Sequence, residues 1–125
     1  MAFYEYRQNN SGGVFEIEEG KFSVYNWIEA NSGPQADDKA VGLGIYFDDD
    51  YETDCDCCGT RWNSNEYSGG YTKEEFEKDL KFQIEWQKKN SGVSFYDARL
   101  KGMPYGYIHY ADGTVEAINL PTKEN

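Results

Sequence analysis

A chain of 125 residues has room for one domain with its own hydrophobic core. Only 38% of it is apolar while 17% is aromatic, so that core has to be built largely from rings. Twelve basic against 23 acidic residues leave a net charge of −11, which argues against direct nucleic-acid binding. No apolar run reaches the length of a membrane span, and no charged-then-apolar signal pattern opens the chain. The expected setting is therefore intracellular and soluble.

In chain order, residues 3–7 alternate, with Phe3, Glu5 and Arg7 on one side and Tyr4 and Tyr6 on the other. After the NNSGG turn at 9–13, residues 14–17 alternate again. The stretch 22–30 reads as a third strand, with Phe22, Val24 and Ile28 toward a core and Tyr25 and Trp27 opposite. These three strands predict an antiparallel meander. Ser32, Pro34 and the following acids predict a short helix over 34–44, closed by glycine. Residues 45–47 (IYF) return to strand character, and 48–70 read as a long irregular loop.

The spacing predicts a long helix over 72–90. Thr72 and Glu75 make a capping box, and acids precede lysines along it. Phe76, Leu80 and Ile84 form one stripe, which Phe82 and Trp86 widen beyond what a surface helix needs. Packing of that width within the monomer is favoured over packing against a second subunit, so a homo-oligomer stays an alternative. Residues 105–120 predict a hairpin turning at Asp112-Gly113 as a two-residue type I′ turn. That register pairs His109 with Glu116 and Ile108 with Ala117. The expected class is α+β: a mostly antiparallel sheet, meander plus C-terminal hairpin, packed with one long amphipathic helix and one short one. It forms a single domain over 1–125.

The segment DDDYETDCDCCGTRW at 48–62 concentrates the chemistry. Cys55 and Cys58 have the spacing of half a zinc site, and Cys57 with the lone His109 would complete a Cys₃His set. No second CxxC exists, so the favoured reading is thiols that anchor a loop under Trp62, with no cofactor. Calcium on Asp48, Asp49, Asp50, Asp54 and Asp56 lacks the EF-hand spacing. A catalytic thiol is opposed by the surrounding carboxylates, which push its pKa upward. His109 reads as a strand-face histidine beside Glu116. No nucleophile–base set or phosphate-cradling loop emerges, so an enzyme is not expected.

Arg7, Arg61 and Arg99 are the only arginines. In so acidic a chain each is either an ion-pair partner on the surface or a grip for phosphate or carboxylate. Arg61 beside Trp62 joins a guanidinium fork to a stacking plane. Asn9 and Asn10 add amides in the NNSGG turn.

The opening FYEYRQNNSGG, the DCDCCGTRW centre and the closing YIHYADGTVEAI resemble a family of small tailed-phage proteins. These begin with YxYxQNNSGG, carry a DCxCCGxRW centre and end in an HYxDG hairpin. The likeness covers about three fifths of the chain, roughly residues 3–62 and 105–118. The sequence departs from it at Asp48-Asp49, where the family has Asp-Gly, and in the helix at 72–90, which stands as an added element. The resemblance implies a phage protein acting in the cytoplasm of an infected bacterial host, and by association one that counters bacterial immunity. The expected activity is non-enzymatic: binding a small anionic, nucleotide-type immune signal through Arg7, Asn9, Asn10, Arg61, Trp62 and Arg99. The alternatives are an acidic inhibitor that occupies a host defence protein's nucleic-acid groove, and a structural or regulatory phage component with a metal-stapled cysteine loop.

Overall fold

A computed structural model describes residues 1–8, 16–47, 62–90 and 102–119. Alternation at the N-terminus sets the architecture. Strand β1 (Ala2–Arg7) sends Phe3 to one face of the sheet and Tyr4 and Tyr6 to the other. It pairs antiparallel with β2 (Tyr25–Ala30) along its whole length, from Ala2 opposite Ala30 to Arg7 opposite Tyr25. Strand β3 (Gly106–His109) adds to β2 in parallel, and β4 (Val115–Ile118) closes the sheet antiparallel to β3. The order is β1-β2-β3-β4.

Helix α1 (Gly33–Leu43) covers one face. Its ends follow from the sequence. Ser32 caps it by accepting from the Gln35 backbone N–H, proline stands in the first turn, and Gly44 ends it in the left-handed region. Its first turn carries no acid, so Asp37 and Asp38 sit too far along to serve the dipole. Helix α2 (Lys73–Asn90) covers the other face. Its capping box is reciprocal: Glu75 Oε1 accepts from the Thr72 N–H at 2.9 Å, and Thr72 Oγ1 from the Glu75 N–H at 3.1 Å.

Two cores result, one on each side of the sheet. Phe3, Val24, Tyr25, Trp27, Tyr105, Ile108 and Ile118 meet Phe76 of α2. Tyr4, Tyr6, Phe22, Ile28, Ile45 and Trp62 meet Ala36 and Ala40 of α1. Phe3 stacks on Phe76 at 4.1 Å, and Trp27 meets both Phe76 and Tyr71 edge to face. Tyr25 and Trp27, expected on the side away from the core, are therefore fully buried in the core on the α2 side. A sheet covered on both faces buries consecutive residues, and period-two reading cannot resolve that.

Three local expectations are corrected. The meander has no middle strand among the described residues. Glu16 and Ile17 are not in a strand, and the Gln8 side chain takes both backbone groups of Glu16, donating to its carbonyl at 2.7 Å and accepting from its N–H at 2.5 Å. Residues 45–47 are not a strand either. The Ile45 N–H is tied to the Ala40 carbonyl at the end of α1 while its side chain enters the core. Finally, the hairpin register is one residue off the expected one: Ile108 faces Glu116 and His109 faces Val115. The loop has three residues, not two. A turn from Tyr110 to Gly113 places Gly113 at φ 92°, and Tyr110 then bonds Thr114.

The long helix also packs less broadly than expected. Phe76 is buried and Leu80 and Ile84 lie against the core, but Phe82 is 58% and Trp86 45% exposed. No helix among the described residues is long and apolar enough to cross a membrane.

Candidate functional site

β1 places Glu5 and Arg7 on the α2 side of the sheet, two and four residues after the buried Phe3. Arg7 lies over the ring of Tyr25, its guanidinium carbon 5.0 Å from the ring centre. Its Nε stands 3.9 Å from Glu5 Oε1. The Tyr25 hydroxyl donates to Asp79 Oδ2 of α2 at 2.7 Å. Asp79 acts on Glu5 as well, so an acid of the sheet and an acid of α2 stand together beside an arginine.

Burial raises the Glu5 carboxyl to about 7. Arg7 opposes that shift, while the charge of Asp79 and its hydrogen bond add to it. The cluster thus sets a guanidinium donor beside two carboxyl groups, one of which holds its proton more tightly than an ordinary glutamate. The phenols around it stay neutral: burial raises Tyr25, Tyr71 and Tyr105. The Tyr105 ring lies tilted against Tyr25 at 5.8 Å, and its hydroxyl accepts from Gln87 Nε2 at 3.1 Å. Gln87 is buried, and its Oε1 has no hydrogen-bond partner among the described residues. An unpaired buried amide oxygen is costly.

Beside this cluster lies an open hollow of about 360 Å³, lined by Tyr71, Glu75, Lys78, Asp79 and Phe82. Tyr71 is held there by the sheet: its backbone exchanges two hydrogen bonds with Phe3, at 2.8 and 2.7 Å, which also covers that edge of β1. Asp79 is common to the hollow and to the carboxylate pair.

The expected site residues separate. Arg7 is in the cluster. Trp62 is not a stacking plane: it is 1% exposed, packed edge to face against Phe22 at 5.5 Å in the α1-side core. Its flanking polar segment explains this, because Asp37 of α1 grips Asn65 and the Tyr6 hydroxyl and so draws residues 62–65 onto the sheet. His109 is half-buried with Nε2 against the Lys21 carbonyl, and burial lowers its pKa. Its cross-strand neighbour is Val115, not Glu116. Asn9, Asn10, Cys55, Cys57, Cys58, Arg61 and Arg99 lie outside the described residues. Among the described residues, no group of three or more acidic, histidine or cysteine side chains is arranged to hold a metal.

Sequence reasoning missed Glu5, Tyr25, Tyr71 and Asp79. The one available signal was Glu5 standing between Phe3 and Arg7 on a face otherwise committed to the core.

A family model described as "Domain of unknown function (DUF7296)" matches residues 1–124, a span that includes α2. No curated protein and no solved structure matches the chain.

Proposed function

From a chain that belongs to the DUF7296 family, a domain of unknown function, we propose a non-enzymatic phage protein that counters bacterial immunity by binding and sequestering a small nucleotide-type signal. The observation that carries this reading is the Arg7–Tyr25 pair standing next to the Glu5–Asp79 acid pair. Phosphate suits the guanidinium of Arg7. Ribose hydroxyls suit a carboxylate acceptor such as Asp79. Tyr71, 37% exposed, offers a ring edge to a base.

The net charge of −11 opposes an anion at long range. Capture therefore depends on these short-range contacts, and binding should strengthen little when salt is lowered. Protein purified from phage-infected bacteria and released by heat should yield a phosphate-bearing small molecule by mass spectrometry. Protein carrying Arg7→Ala should yield none. Equal yields from both would reject the reading.

The same charge favours a second reading, an acidic inhibitor that docks on a basic host defence protein. That complex would dissociate at high salt, whereas the small-molecule complex would persist.

A further inference from the structure

We propose that the outer face of α2 is the interface of an antiparallel homodimer, in which two copies of this helix cross about a two-fold axis at Phe82. The inner stripe of α2 is spent on the core, yet its opposite face carries Phe82 and Trp86, both substantially exposed. At 3.6 residues per turn, Glu75, Lys78, Phe82, Trp86 and Lys89 fall on that one face.

Charge distribution selects the occupant and its direction. The first seven positions of α2, from Lys73 to Asp79, carry a net charge of −2, and the last ten, Lys81 to Asn90, carry +2. A second copy laid antiparallel sets each acidic end against a basic one, whereas a parallel copy sets like against like. The midpoint of Lys73–Asn90 falls between residues 81 and 82. An axis at Phe82 therefore brings Phe82 onto its own counterpart, Lys78 under Trp86 of the second copy, and Glu75 opposite Lys89 of the second copy. Each pairing is favourable: ring on ring, cation on indole and acid on base. Glu75 uses Oε1 for its cap, leaving Oε2 for the lysine.

The hollow fits this arrangement. Lys78 and Phe82 are on its wall, so Trp86 of the second copy stands at its mouth. The dimer is independent of the ligand reading, because it forms with no guest present.

A helix face about 27 Å long buries on the order of 1,000 Å² in total, at the low end for specific association. Dissociation in the micromolar range is expected. Sedimentation velocity of the full chain without ligand, from about 1 to about 200 µM, should show a monomer–dimer equilibrium. Phe82→Glu, at an exposed position, should leave the circular dichroism unchanged and abolish the dimer. Lys89→Gln should weaken it about two- to fivefold. A monomer at every concentration, or a dimer indifferent to Phe82→Glu, would overturn the interface. Tightening by Lys89→Gln would overturn its direction, since only a parallel pair sets Lys89 against itself.

Discussion

The Tyr25 hydroxyl donates to Asp79 Oδ2 at 2.7 Å, a bond that spans 54 residues and joins the central strand β2 to α2. It fixes the height of the helix over the sheet, and with it the carboxylate that Glu5 leans on. Tyr25→Phe removes the donor without changing the packing of the ring. Stability should fall by about 2 kcal/mol, the usual worth of a hydrogen bond to a charged acceptor, as read by urea denaturation at neutral pH.

Glu5 makes stability depend on pH in an unusual direction. Its ordinary value is 4.5 and its folded value about 7, so the folded chain binds the proton more tightly. Stability from this group is complete below pH 4.5, falls as pH rises to about 7, and is flat above that. Gln imitates the protonated acid. Glu5→Gln should therefore be nearly neutral at pH 5 and stabilising at pH 8, by about 1–2 kcal/mol once partial exposure to water is allowed for. Denaturation midpoints at the two pH values check the sign.

Asn26 holds together the buried start of the central strand β2. Its Oδ1 accepts from the backbone N–H groups of Ser23 and Tyr107 at 2.9 and 3.1 Å. Its Nδ2 donates to the carbonyls of Ser23 and Tyr6 at 2.9 and 3.1 Å. Four backbone groups from three segments depend on one side chain that is fully buried. Asn26→Asp keeps the size but loses both donors and buries a charge. It should cost about 3 kcal/mol or more, visible as loss of folded protein or a collapsed melting temperature.

Much of this architecture was legible in the sequence. Thr72, Glu75, Ser32 and Gly44 are local signals, and each does in the structure what its spacing implied. The alternation at 3–7 correctly put Glu5 and Arg7 on the face of Phe3. What was not legible depends on partners distant along the chain. Asn26 looks like one polar residue in an apolar run until Tyr107, 81 residues on, is placed beside it. Glu5 has no unusual chemistry until α2 delivers Asp79. Trp62 reads as a stacking plane beside an arginine because nothing local shows that Asp37 draws its segment inward. The hairpin slipped by one residue because Ala111-Asp112-Gly113 serves a three-residue loop as readily as Asp112-Gly113 serves a shorter one.

Gly106 is required by the parallel contact of β2 and β3. A Cβ there would stand 1.4 Å from the Tyr25 carbonyl oxygen, a backbone atom of the central strand that has little room to retreat. Gly106→Ala should destabilise by about 3 kcal/mol or more. Hydrogen exchange should show the loss first at Tyr107 and Ile108.

The guest site itself is best tested by calorimetry with a panel of cyclic nucleotides and ADP-ribose derivatives against the wild-type chain and Arg7→Ala. The account predicts saturable heat with at least one member, at micromolar affinity or tighter, lost by tenfold or more in Arg7→Ala while its melting temperature holds. No heat with any member, or heat that survives the substitution unchanged, would contradict it.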